Sequence, residues 1–215
     1  MHLGCLRPKK FLSLGSYNLP HIGEIKNKPY FITIGCSFGS GMFLTYQDTW
    51  SSILANKLNY EHINLSWEGS SLNYQYNTIL KAEKLLKNAK FIIWMHTYPN
   101  RYHLTALRYI IGDKLARKGL NKNLTFSKKN LNKISKFVFL TKNKKILHTN
   151  AWGYDKKTKL AIEKTICRKN KKYFLNTDEY LDRASDGQHA GPKSHKSIAD
   201  KIYQHMQNNF PDWHR

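Results

Sequence analysis

At 215 residues the chain is long enough for one domain with a sizeable core, and 40% hydrophobic with 13% aromatic content excludes a disordered chain. A formal charge of +22, carried mostly by lysine with only seven arginines, points either to an anionic partner or to a codon usage that also enriches asparagine. Three widely spaced cysteines, Cys5, Cys36 and Cys167, exclude a disulfide framework and a cysteine metal site, and no apolar run approaches the roughly 20 residues of a bilayer-spanning helix.

Residues 1–28 hold scattered Pro and Gly with little periodicity and read as an irregular N-terminal arm on a single domain spanning 29–215. Tyr30 to Ile34 is a β-branched and aromatic run ending at Gly35, the pattern of a buried strand. Asp48 is placed to cap a helix over about 49–58, with Trp50, Ile53, Leu54 and Leu58 at helical spacing. His62 to Leu65 predicts a second strand, Leu72 to Leu86 one long amphipathic helix, and Phe91 to Met95 a third strand of the continuously apolar kind. A helix is expected over Arg101 to Leu115, then a basic surface insertion around 114–145 that contains no acidic residue. Lys145 to His148 predicts a fourth strand, Lys157 to Arg168 a helix, Tyr173 to Leu175 a fifth strand, and Lys193 to Asn208 the last helix. Strand and helix alternate throughout. That alternation predicts a three-layer α/β/α sandwich on a mainly parallel sheet of about five strands.

In such sheets ligands collect at the carboxyl ends of the strands. Three polar turns belong there: Gly35 to Gly41, Ser66 to Ser71, and His96 to Arg101. Near the C-terminus, Asp186-Gly187-Gln188-His189 precedes the last helix. A serine just after a strand exposes its hydroxyl, and an Asp-x-x-His can hold an imidazole in the tautomer that accepts the serine proton. Ser37, His189 and Asp186 are therefore the candidate nucleophile, base and acid. Ser37 could otherwise be a serine that simply ends a strand, Cys36 is expected as a small buried side chain, and His195 is the rival base, placed inside the last helix. No His, Cys, Asp and Glu cluster has metal-ligand spacing, so neither metal nor cofactor is expected.

Gly35-Cys36-Ser37-Phe38 resembles the first block of the SGNH (GDSL-like) hydrolases, in the G-C-S-F form common in bacterial and phage genomes. Asn64 to Asn73 resembles their second block, and Asp186-x-x-His189 the final block, in the same chain order, so that the resemblance covers about residues 30–206. It implies a flavodoxin-like sandwich and metal-free hydrolysis of an ester, thioester or acetyl-sugar bond on a small molecule, lipid or glycan, with the Gly69 N–H as an oxyanion donor. Two positions depart from the family's pattern. Cys36 replaces the usual aspartate, and the third block reads His96 to Arg101, so that the further donor is Asn100, offset by one residue, or Arg101, or a third donor is lacking.

Two other functions compete with ester hydrolysis: a catalytically weak or inactive domain of this type used for glycan binding or assembly, motivated by the altered third block, and a nucleic-acid-associated protein, motivated by charge alone. The basic stretch lacks the arginine and aromatic interleaving of RNA binders and is expected to be solvated surface. Without an apolar segment ahead of His2 to Cys5, a cytoplasmic location is expected. Oligomeric state is not legible in the sequence.

Overall fold

The computed structural model describes residues 28–97, 145–150, 173–177 and 180–213. Five strands form one parallel sheet: β1 (Tyr30–Ile34), β2 (Glu61–Asn64), β3 (Ile92–His96), β4 (Ile146–Asn150) and β5 (Phe174–Leu175), in the order β2-β1-β3-β4-β5. This is the flavodoxin-like order, whose topological switch falls between β1 and β3.

Every residue of β1, β3 and β4 is buried, because helices cover both faces of the sheet. Alternate side chains therefore enter two separate cores. Phe31, Ile93, Met95 and Leu147 pack with Trp50 and Leu54 of helix α2 (Trp50–Leu58) and with Ala199, Ile202 and Met206 of helix α5 (Pro192–Asn209). Ile32, Ile34, Ile92 and Trp94 pack on the opposite face with Ile79 of helix α3 (Leu72–Lys81) and Leu85 and Leu86 of helix α4 (Glu83–Asn88). These opposed layers make the three-layer sandwich.

Several boundaries differ from the sequence reading. The N-cap of α2 is Thr49, whose hydroxyl accepts from the Ser52 N–H at 3.3 Å. Asp48 instead ends a 3₁₀ turn, and its carboxylate accepts from the Thr45 hydroxyl at 2.6 Å. The single helix expected over 72–86 is divided at Ala82 (φ −88°, ψ 13°), where the Ala82 N–H is shared between the carbonyls of Thr78 and Ile79. No Pro or Gly marks that break, and Ala82 is fully buried.

The fourth strand runs two residues further than expected, to Asn150. Helix α5 opens with Pro192 at its first turn, where the missing N–H costs nothing. The arm at 1–27, the helices expected at 101–115 and 157–168, and the basic insertion up to residue 144 lie outside the described residues. Among the described residues no helix is long and apolar enough to cross a membrane.

Candidate active site

The chain leaves β1 through Gly35 and Cys36 and enters a four-residue helical turn, α1 (Ser37–Ser40). The turn is tight because its neighbours leave no room: a Cβ on Gly39 would sit 2.6 Å from the Ser66 hydroxyl, and one on Gly41 would collide with the Thr49 methyl. Gly41 also adopts φ +69°, which ends the turn in the left-handed region. Ser37 thus begins α1 at the carboxyl end of β1, beside the switch between β1 and β3.

The turn after β2 is fastened to the same loop. The Gly35 carbonyl accepts from the Trp67 N–H at 3.0 Å and from the Ser70 hydroxyl at 2.8 Å. Ser70 in turn accepts from Gln75, whose side-chain carbonyl accepts from the Trp94 indole at 2.7 Å. The Asn64 amide donates to the Gly39 carbonyl at 3.2 Å. Gly69 lies in this fastened turn at φ +72°. Among the described residues, neither the Ser37 nor the Gly69 backbone N–H is taken up by a hydrogen bond.

His189 and Asp186 come from a short hairpin just before α5. Arg183 and Ala190 form an antiparallel bridge, the Ala184 N–H donates to the His189 carbonyl at 2.9 Å, and Gly187 turns the chain at φ +67°. Asp182 anchors the base of the hairpin to the helix. Its carboxylate accepts from the N–H groups of Lys193 (3.0 Å) and Ser194 (2.8 Å). From well upstream it does what an N-cap side chain does, since Gly191 at the N-cap has none. A Cβ on Gly191 would come within 2.6 Å of that carboxylate.

These two supports bring Ser37, His189 and Asp186 together. His189 Nε2 lies 3.0 Å from Ser37 Oγ, and His189 Nδ1 lies 2.5 Å from Asp186 Oδ2. The other oxygen, Asp186 Oδ1, accepts from the N–H groups of His189 (3.0 Å) and Gln188 (3.1 Å). Partial desolvation works to raise the Asp186 carboxyl, but the two backbone N–H groups and the His189 ring outweigh it and bring it down to about 2. An ionised Asp186 favours the proton on Nδ1, which leaves the Nε2 lone pair to accept from the Ser37 hydroxyl. The array can therefore draw a proton from Ser37 and hold the imidazolium that results.

Other residues named from sequence have different roles. Cys36 is a buried core side chain. His195 is buried in α5 and its Nδ1 accepts from the Trp50 backbone N–H at 3.0 Å; desolvation holds its ring low, at about 4. His96 is fully buried, stacked on His148 with a 2.9 Å contact between ring nitrogens. Asn100 and Arg101 lie outside the described residues.

Sequence reasoning missed the rings that flank His189: Phe38 at 4.8 Å and Phe43 at 5.5 Å between centroids. It missed Asp182 and Ser194 as well. Phe38 and Phe43 belong to no periodic pattern, though a bulky side chain in a glycine-rich turn is itself unusual.

Among solved structures the chain is similar to several esterases. A Desulfitobacterium hafniense protein assigned to the lipolytic G-D-S-L family is 14% identical, with 82% of this chain and 98% of that chain covered and a TM-score of 0.55. The psychrotrophic esterase EstA from Pseudoalteromonas sp. is 12% identical over 85% and 99%, TM-score 0.58. A family two carbohydrate esterase from Cellvibrio japonicus is 13% identical over 87% and 62%, TM-score 0.57. No family model and no curated protein matches the chain. At these identities the likeness establishes a common fold.

Proposed function

We propose that the chain is a serine ester hydrolase of the SGNH type. The observation that carries this reading is the continuous array Ser37–His189–Asp186, with 3.0 and 2.5 Å contacts at the carboxyl end of β1. The esterase names of proteins with the same fold support it.

In the first step His189 Nε2 takes the Ser37 proton as Oγ attacks the ester carbonyl carbon. Negative charge moves to the carbonyl oxygen, for which the N–H groups of Ser37 and Gly69 are the assigned donors, with Asn100 or Arg101 as a third. The intermediate collapses as the bond from carbon to the alcohol oxygen breaks, and the alcohol leaves with the proton from His189. Water then repeats the sequence on the acyl-serine: His189 takes a proton from water, the carboxylate is released, and Ser37 regains its proton. Asp186 stays ionised throughout and stabilises the imidazolium. The substrate class is an ester of a small molecule or a glycan.

The test is hydrolysis of p-nitrophenyl acetate together with labelling by a fluorophosphonate. Wild type should turn over the ester and take one label, on Ser37. A Ser37→Ala variant that retains wild-type turnover would overturn the reading.

A further inference from the structure

The geometry points to Phe43 as a specificity determinant on the alcohol side of the ester, forming a platform for a leaving group that carries a ring with an apolar face. This inference rests on the triad reading and deepens it. Phe43 and Leu181 are the large hydrophobic side chains exposed among the described residues, at 44% and 63%. Of these, Phe43 lies against the site, with its ring 5.5 Å from that of His189.

The backbone at Phe43 is unusual too. Residues Gly41 to Leu44 form a turn closed by the Leu44 N–H on the Gly41 carbonyl at 3.1 Å, and Phe43 occupies the third place at φ +67°. That place calls for glycine or asparagine, because a side chain there is strained. The only other non-glycine residue at positive φ among those described is Asn59, which ends α2 in the ordinary way. A bulky aromatic held in a glycine conformation, exposed, and set against the base gains nothing from core burial.

The chemistry decides which half of the substrate it meets. His189 Nε2 must deliver its proton to the leaving oxygen, so the carbon of the alcohol is held beside the imidazole. Side chains on that imidazole therefore border the alcohol. Phe38, on the same ring, is 5% exposed and packs in the core; Phe43 is open. Its face fits the flat apolar side of a benzyl or aryl alcohol or the C–H face of a sugar ring, by contact rather than by hydrogen bonding. The alcohol departs when Ser37 is acylated, with cleavage of its bond to the carbonyl carbon. Phe43 then acts on kcat/KM, while the later hydrolysis of the acyl-serine is common to all esters of one acid.

The test compares kcat/KM for methyl acetate, benzyl acetate, benzyl butyrate and a methyl glucoside carrying one O-acetyl group, in wild type, Phe43→Ala, Phe43→Gly and Phe43→Trp. Glycine fits φ +67° without strain, so thermal unfolding of Phe43→Gly separates loss of contact from loss of fold. The ratio of ring ester to methyl acetate should fall about tenfold in both small variants, the order expected for one apolar contact in a specificity pocket, and Phe43→Trp should restore it. A fall confined to benzyl acetate identifies an aryl-type alcohol; one confined to the glucoside identifies a sugar. The ratio of benzyl butyrate to benzyl acetate should move by less than about twofold, since both share one alcohol. Unchanged ring-to-methyl ratios, or a shift that follows the acyl chain, would overturn the platform and leave the triad standing. A wild type that cleaves no ester and takes no fluorophosphonate label would overturn both.

Discussion

His195 Nδ1 accepts the backbone N–H of Trp50 at 3.0 Å, joining α5 to the first turn of α2 across 145 residues of chain. The histidine that rivalled His189 from sequence is thus a structural acceptor for one of the N–H groups a helix start leaves without an internal partner. His195→Ala should lower stability by about 1–3 kcal/mol through the stranded donor, with a further loss from the cavity. The folded fraction should keep its turnover. His189→Ala should do the reverse, lowering kcat by about 10²–10⁴-fold with little change in Tm. Parallel thermal unfolding and p-nitrophenyl acetate kinetics on both variants check this.

Asp186→Asn should be nearly as damaging as loss of the base. The amide oxygen can still accept from the Gln188 and His189 N–H groups, so the hairpin should persist. Its NH₂ would face His189 Nδ1 and favour the tautomer with the proton on Nε2, leaving nothing to accept from Ser37. A loss of kcat on the order of 10³–10⁴-fold is expected, with an unchanged circular dichroism spectrum.

Acid should unfold the protein early. Burial pushes the rings of His62 and His148 down to about 3 and His195 down to about 4; burial, with His148 beside it, also holds His96 well below the ordinary range. In the unfolded chain each titrates near about 6.5. Between about pH 4 and 6.5 the unfolded state therefore binds more protons, so stability rises with pH and falls as pH drops through that window. Each histidine contributes up to about 1.4 kcal/mol per pH unit there. Asp186, lowered to about 2, adds a loss in the same direction only below its unfolded value, as pH falls toward 2. Calorimetric unfolding near pH 5 in buffers of different ionisation enthalpy should report uptake of about three to four protons, and His62→Gln should remove one.

Gly191→Ala should weaken catalysis from outside the reacting groups. The added methyl would come within 2.6 Å of the Asp182 carboxylate and must push Asp182 off the α5 amides. The hairpin carrying Asp186 and His189 then loses its anchor. A drop in Tm of several degrees with a larger fractional loss in kcat than in ester binding is expected, read by unfolding scans and steady-state kinetics.

The strands were legible because parallel strands buried on both faces need apolar residues in unbroken runs, as in Tyr30 to Ile34 and Ile92 to Met95. Ser37, His189 and Asp186 were legible because each sits at a punctuated strand or helix end. What escaped depends on distant partners. Thr49 rather than Asp48 caps α2 because Thr45 engages Asp48; the division at Ala82 has no local breaker; and the Asp182 cap on α5 joins residues whose types are common in any loop. Phe43 escaped because its meaning lies in a backbone angle.

The Ala184–His189 and Asp182–Gly191 backbone bonds close the hairpin upon itself. Asp186 and His189 are three residues apart on a locally stapled segment, so their mutual alignment is inherited from the hairpin and not negotiated with the sheet. The whole fold has to set a single long-range distance, from Ser37 to His189 across 152 residues. Drift in strand length, helix register or loop insertions acts on that one separation. A change elsewhere in the chain can then move Ser37 relative to the hairpin without disturbing the Asp186–His189 pair itself.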